Sequence, residues 1–259
     1  MFDSHCHLNF QVFDDIYNQV IATAKESGVT HLMIPGTDIS TSEKAIEITK
    51  DYINVHAAVG VHPTKDLENL DIKKTLFRLE ELASEEKVKA IGEIGLDYYH
   101  FKAPASLQKR FFLEQIKLAV KLDKPIIIHN RHAGVDVSDL ISTNWQPSFE
   151  KRIVFHCCEP IMAMLRLAIK KQIFIGVDGD VTYDKEKLDF IQKVPIDLLV
   201  IETDAPYIIP EPKRTQKVFP NQPKYLYLIA QKVAEIKKVN LETLVRETTK
   251  NAQELFQLT

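Results

Sequence analysis

VKAIGEIGLDYY (88–99), PIIIHN (125–130), RIVFHC (152–157) and DLLVIETD (197–204) decide the fold. Each is a short run rich in Val and Ile, and each carries a metal-competent side chain towards its C-terminal end: Glu93, His129, His156 and Asp204. Working outward, HLMIPG (31–36), VHAAVG (55–60) and QIFIGV (172–177) have the same character, and the opening MFDSHCHL makes an eighth. Runs of four to eight apolar residues suit parallel strands covered on both faces. Amphipathic stretches separate them. Val12, Ile16, Val20, Ile21 and Ala24 recur at helical spacing within 12–27, as do Leu107, Phe111, Phe112, Gln115, Leu118, Ala119 and Leu122 within 107–122. Further helices are expected near 40–50, 71–84, 134–142, 160–170, 184–193 and 222–238, and the tail 241–259 reads as one or two more, with Asn251 as a candidate cap. Strand–helix alternation repeated eight times predicts a single α/β domain over 1–259, a (β/α)8 TIM barrel. A doubly wound open sheet is the alternative, since one or two strands more or fewer would change the reading.

The chain has 259 residues, a length that α/β barrels reach as one unit. A formal net charge of -3 excludes bulk electrostatic capture of nucleic acid or of anionic membrane. A polyanion would need a local basic patch or bound cations. Cys6, Cys157 and Cys158 form no framework of spaced pairs, which favours a reduced, cytoplasmic setting. MFDSHCHLNF (1–10) lacks the basic and apolar regions of a signal peptide, and no apolar run approaches the roughly 18 residues that span a membrane. A monomer with no membrane partner is expected.

In a barrel the carboxyl ends of the strands converge on one face, where active sites are built. His5 and His7 close the first run, His62 follows the third, Glu93 ends the fourth, His129 the fifth, His156 the sixth and Asp204 the eighth. Residues i and i+2 of an extended chain point the same way, so His5 and His7 can reach one ion, with Cys6 turned away. Two solvated histidines are the plainer reading of that pair, but Asp3 and Asn9 beside it and its place at a strand end favour ligands. Glu93 sits in so apolar a context that it must be paired with a cation or bind metal, and its two oxygens suit it to bridge two ions. Asp97 reads as a loop cap or as an acceptor behind a ligand. A buried histidine is most often bonded to backbone, yet His129 and His156 at equivalent strand ends point to metal. Asp204 is expected to ligate and to take a proton from the attacking water. His62 is assigned to substrate contact, and Arg131 with His132 to phosphate. His31 and His56 open strands at the opposite end of the barrel, and His100 fits no pattern. The irregular stretch 206–223 holds five prolines (206, 210, 212, 220 and 223) with Lys213, Arg214 and Lys217, and loops of that length are usually functional.

With these residues placed, the chain resembles the TatD family of metal-dependent deoxyribonucleases, within the amidohydrolase-like barrel superfamily. The resemblance runs from Asp3 to Phe256 and rests on several motifs in order. These are DSHCHLN (3–9), GVHP (60–63), IGEIGLDYY (91–99), the spacing of Gln108, Phe112, Gln115, Ala119, Leu122, Pro125 and Ile128-His129, then ETDAP (202–206) and TxxNAxxLF (248–256). It implies a barrel and two-metal hydrolysis of DNA phosphodiesters, typically by a 3′-to-5′ exonuclease acting on single strands or frayed ends. By motif, His5, His7, Glu93, His129, His156 and Asp204 match the family's metal ligands. Two places depart from the pattern. HCCEP (156–160) replaces a turn resembling HCFSG, and Lys213-Arg214-Thr215 with Asn221-Gln222-Pro223 stand where Arg-Gly and Asn-Glu-Pro are usual. The second departure lies in the expected substrate loop.

The expected chemistry is activation of water between two divalent ions (Zn²⁺, Mg²⁺, Mn²⁺ or Ni²⁺), with Glu93 as bridge and Asp204 as proton acceptor. Arg131, joined by Lys213 or Arg214, would offset phosphoryl charge, and Tyr98 or Tyr99 would stack on a terminal base. Two rivals remain. One is hydrolysis of a small-molecule amide or ester by the same barrel, which often uses a carbamylated lysine where this chain has Glu93. The other is a non-catalytic binding module with a structural metal, which the scarcity of cysteine disfavours.

Overall fold

Val and Ile dominate the apolar runs because both faces of each strand are covered, and those runs form the eight parallel strands of a computed structural model that describes residues 1–258. They are β1 (Phe2–Asp3), β2 (His31–Pro35), β3 (Val55–Val59), β4 (Val88–Asp97), β5 (Ile126–Arg131), β6 (Ile153–Phe155), β7 (Phe174–Val177) and β8 (Leu199–Ile201), paired in sequence order. The barrel closes between β8 and the chain just beyond β1. Ser4 N–H donates to Ile201 O (3.1 Å), Asp204 N–H to His5 O (2.9 Å) and His7 N–H to Ala205 O (2.7 Å). This closure separates a (β/α)8 barrel from the open sheet.

Each strand places one side chain in a common apolar cluster: Phe2, Met33, Ala58, Ala90, Ile127, Val154, Phe174 and Val200. Large and small residues complement each other there, filling the barrel as a packed core. Outside run α1 (Tyr17–Glu26), α2 (Ile39–Thr49), α3 (Ile72–Ala83), α4 (Ala105–Lys121), α5 (Gly134–Thr143), α6 (Met162–Lys171), α7 (Lys185–Lys193) and α8 (Leu226–Lys237). The tail is one helix, α9 (Leu241–Leu255), which closes the amino-terminal mouth by setting Phe256 5.7 Å from Phe2. Thr259 lies outside the described residues. No helix among the described residues is long and apolar enough to cross a membrane.

Three expectations need correction. The first strand is only two residues long, because after Asp3 the backbone alternates its bonds between β8 and β2 and makes no continuous ladder with either. Residues 196–198 form a 3-10 turn ahead of a short β8. Asn251 is not a cap: it lies inside α9, and its amide donates to Ile196 O (2.9 Å) and Leu199 O (2.7 Å), fastening the helix to the foot of β8. Asn240 caps the helix by accepting from Thr243 N–H.

The cap of α2 is a test of local stability. Asp38 accepts from Thr41 N–H (2.8 Å), the Thr41 hydroxyl reaches back to Asp38 N–H, and Lys65 pairs with the carboxylate at 2.7 Å. Burial pushes the Asp38 carboxyl up, but Lys65 and the Thr41 donors outweigh it and hold the group below the usual range. A depressed folded pKa contributes stability above the unfolded value that is lost as pH falls through the folded one. Asp38→Ala should therefore cost about 0.5–2 kcal/mol at neutral pH. In thermal melts the gap from wild type should narrow below about pH 4, the unfolded carboxyl value.

Candidate active site

The carboxyl ends of the strands carry a buried cluster centred on Glu93, which is 2% exposed. Its Oε2 lies 3.4 Å from His5 Nε2 and 3.4 Å from His7 Nε2. Its Oε1 lies 2.9 Å from His129 Nδ1, 3.4 Å from His62 Nε2 and 3.7 Å from His156 Nε2. Asp204 Oδ1 faces the same group, 3.8 Å from His5, 3.7 Å from His7 and 3.8 Å from His156. The structure thus brings together all six residues read as ligands and adds His62 on equal terms. His5 and His7 project together as their spacing required, with Nε2 atoms 3.1 Å apart, while Cys6 turns away to Met33 O.

A shell of hydrogen bonds aims these side chains. Glu202, buried at the end of β8, accepts from His156 Nδ1–H (2.9 Å), Cys157 N–H (2.7 Å) and the Ser4 hydroxyl (2.9 Å). Room for it comes from Gly176 on β7, where a Cβ would lie 2.8 Å from the Glu202 Cδ. Asp3 accepts from Thr203 N–H and its hydroxyl, fixing the turn that presents Asp204 in a left-handed conformation (φ 50°). Asp97 accepts from Tyr99 and His100 N–H groups and lies 3.3 Å from His129 Nε2, so it is both loop cap and acceptor behind a ligand. The two glutamines of the α4 motif bind backbone: Gln108 brackets Asp97 and Gln115 brackets Val61, next to His62. Asn221 donates to Thr203 O, Tyr207 O and Ile208 O, which docks the 206–223 loop against Asp204.

Burial and mutual charge reset the ionisation of the cluster. Burial, with His156 stacked at a 3.4 Å ring separation, lowers His5 to about 3 despite Glu93. Burial also acts on His156, but the Glu202 carboxylate outweighs it and raises the imidazole to about 10. Burial would raise Glu93, yet the surrounding imidazoles hold it well below the carboxylate range. Asp204 is raised to about 7 by burial, an effect that His156 and His7 only partly offset. His5 Nδ1 is buried without a hydrogen-bond partner. Imidazole nitrogens that converge on one another and on two carboxylates fit a divalent-cation centre. Three ligand groups occur here: His5, Glu93 and His156; His5, His7 and Asp204; and His62, Glu93 and His129.

The cluster floors a cavity of about 710 Å³ whose wall includes Phe10, Lys65, His100, Arg131 and Tyr207. Arg131 reaches it from the end of β5, with its guanidinium 5.4 Å from the exposed ring of Tyr99. Tyr98 is half-buried, and its hydroxyl donates to Asp136 (2.6 Å). His132 and Arg214 are exposed and off the cavity wall. His132 N–H donates to Glu159, and Arg214 stacks over Tyr183 at 4.3 Å. His31 and His56 lie at the opposite end, on the first residue of β2 and the second of β3. Sequence reasoning passed over Glu202 and His100. A carboxylate inside an apolar run was a signal for Glu202 of the kind that drew attention to Glu93. His100 gave none.

Fold and site together define an α/β barrel with a histidine–carboxylate centre at the carboxyl ends of its strands. Within that class the chain belongs to the TatD related DNase family, whose model matches residues 2–257. It is 34% identical over 260 residues to the metal-dependent hydrolase YabD of Bacillus subtilis, covering 100% of this chain and 99% of that one. It is 29% identical over 275 residues to the deoxyribonuclease Tat-D of Schizosaccharomyces pombe, covering 93% and 88%. The crystal structure of YjjV, a TatD homologue from Escherichia coli, superposes with a TM-score of 0.91 at 25% identity, covering 100% and 98%.

Proposed function

We propose that this protein hydrolyses DNA phosphodiesters, releasing nucleotides from the 3′ end of single strands or frayed duplexes, with two divalent ions in its site. The orientation of Glu93 carries the reading: one carboxylate oxygen is turned to His5 and His7, the other to His62, His129 and His156. A carboxylate with separate ligand groups at each oxygen suits a pair of ions, with Asp204 completing the set. When bound, such ions lower the pKa of water towards about 7 and neutralise phosphoryl charge.

The chain's own residues supply the remaining tasks. Asp204, facing His5, His7 and His156 from the end of β8, takes the proton leaving the attacking water. Glu202 holds His156 in the tautomer that leaves Nε2 facing the centre. Arg131 at the cavity wall meets a phosphate oxygen, and Tyr99 beside it offers a ring for the terminal base. His132, exposed next to Arg131, would meet a phosphate further along the strand.

A cavity of about 710 Å³ also falls within the range of small-molecule sites, which favours an amide or ester substrate as the second reading. A substrate panel separates the readings. Purified protein with Mg²⁺, Mn²⁺, Zn²⁺ or Ni²⁺ should shorten 5′-labelled single-stranded DNA, less readily duplex DNA and RNA, and stop on chelation. Hydrolysis of small esters or amides without DNA cleavage would establish the second reading. No turnover of any substrate would point to a binding module.

A further inference from the structure

Beside the hydrolytic centre, the turns after β6 and β7 bring a second set of ligand groups together. Cys157, Asp178 and Asp180 each place a ligand atom within 4.8 Å of the others, and none of them belongs to the groups around Glu93. Asp178 is fully buried, and one oxygen of each aspartate is already committed. Asp178 Oδ1 accepts from Asp180 N–H (3.1 Å), and Asp180 Oδ2 lies 3.2 Å from the Lys187 ammonium, which also donates to Cys158 O (2.6 Å). The other two oxygens, Asp178 Oδ2 and Asp180 Oδ1, are buried with no hydrogen-bond partner.

Two adjacent buried carboxylates without a donor between them must share either a proton or a cation. Charge admits the cation once the thiol proton is lost. A thiolate and two carboxylates carry three negative charges, buried Lys187 offsets one, and a divalent ion neutralises the remaining two. The Lys187 ammonium is held on the far oxygen of Asp180 and on a carbonyl, leaving the unpartnered oxygens free. Ligand atoms on a tetrahedral zinc-like ion at roughly 2.0–2.3 Å lie about 3.3–3.8 Å apart, so a side-chain movement of about 1 Å closes the site. Cys157 also lines the main cavity, which gives an ion a way in.

We propose that Cys157, Asp178 and Asp180 bind a further divalent cation of borderline softness, of the Zn²⁺ or Co²⁺ kind, distinct from the ions held around Glu93. The loss of the thiol proton on binding balances the charge. The ion would clamp the turn after His156 to the turn Gly179–Thr182, which in turn holds the 206–223 loop through Glu211 N–H donating to the Thr182 hydroxyl (2.8 Å).

Cobalt titration of the chelator-stripped full chain reads this site without reference to activity, because no other proposed ligand is a thiolate. Wild type should show a sulfur-to-cobalt charge-transfer band and bind one equivalent more than Cys157→Ser. The band should survive in Cys158→Ser and Glu93→Gln and vanish in Cys157→Ser, Asp178→Asn and Asp180→Asn. Circular dichroism of the stripped variants identifies any that fail to fold, and the two aspartate variants substitute for each other. Absence of the band in wild type would mean that the carboxylates share only a proton, and the proposal fails. A band that disappears in Glu93→Gln but persists in Asp178→Asn would place Cys157 on the hydrolytic centre and also overturn it.

Discussion

Glu93→Gln should reduce metal-dependent cleavage of single-stranded DNA by about a thousandfold, equivalent to roughly 4 kcal/mol of transition-state stabilisation. The substitution is nearly isosteric and leaves the cavity its shape. It removes the negative charge that faces His5, His7, His62, His129 and His156 at once. An amide presents one oxygen to one side and an NH2 to the other, so one set of imidazoles would meet a donor where an ion should sit. Metal content measured after dialysis should fall together with activity. Ligands that bind only the folded state raise its stability by mass action. The wild-type melting temperature should therefore climb on adding Mn²⁺ or Zn²⁺, while that of Glu93→Gln should respond much less. Unchanged cleavage by the variant would remove Glu93 from the centre and sink the two-ion reading with it.

Glu93 was legible in the sequence because a carboxylate between Gly92 and Ile94, inside an apolar strand, has no cheap alternative to a cation. His129 and His156 were legible for the same reason, and the barrel followed from eight apolar runs separated by helical patterns. What could not be read is what depends on contacts between distant segments. Glu202 meets His156 across 46 positions and Asp3 meets Thr203 across 200, so no local spacing announces either pair. His62 looked peripheral in GVHPT, yet Gln115 holds the adjacent Val61 so that the imidazole turns inward to Glu93. Long flexible side chains on loops were the hardest to place. Arg214 seemed aimed at substrate by charge alone, but Glu211 and the ring of Tyr183 fix it away from the cavity wall. Asp178, Asp180 and Lys187 pass in sequence for a turn and a solvated helix face, and only the fold buries them together.

Glu202→Ala should weaken metal binding and turnover by about 10–100-fold, although the residue touches neither ion nor substrate in the proposed scheme. Its Oε1 receives both the His156 Nδ1–H and the Cys157 N–H, so its loss frees the ring to rotate and leaves a buried backbone donor unsatisfied. Glu202→Gln separates orientation from charge. The amide oxygen can still accept both bonds, so metal affinity should recover most of the way if aiming the ring is what matters. A third variant reaches the same carboxylate from outside. Gly176→Ala adds one methyl group where the Cβ would lie 2.8 Å from the Glu202 Cδ, too close for any real contact, and β7 is paired on both sides and cannot retreat. It should therefore reproduce much of the Glu202→Ala loss without changing a single charge. Metal titrations of the three variants, with melting curves of the chelated proteins as a folding control, decide the matter. If Gly176→Ala and Glu202→Ala both fold and bind metal as wild type does, His156 needs no partner to hold it, and Glu202 is there only to satisfy the Ser4 hydroxyl and the Cys157 amide.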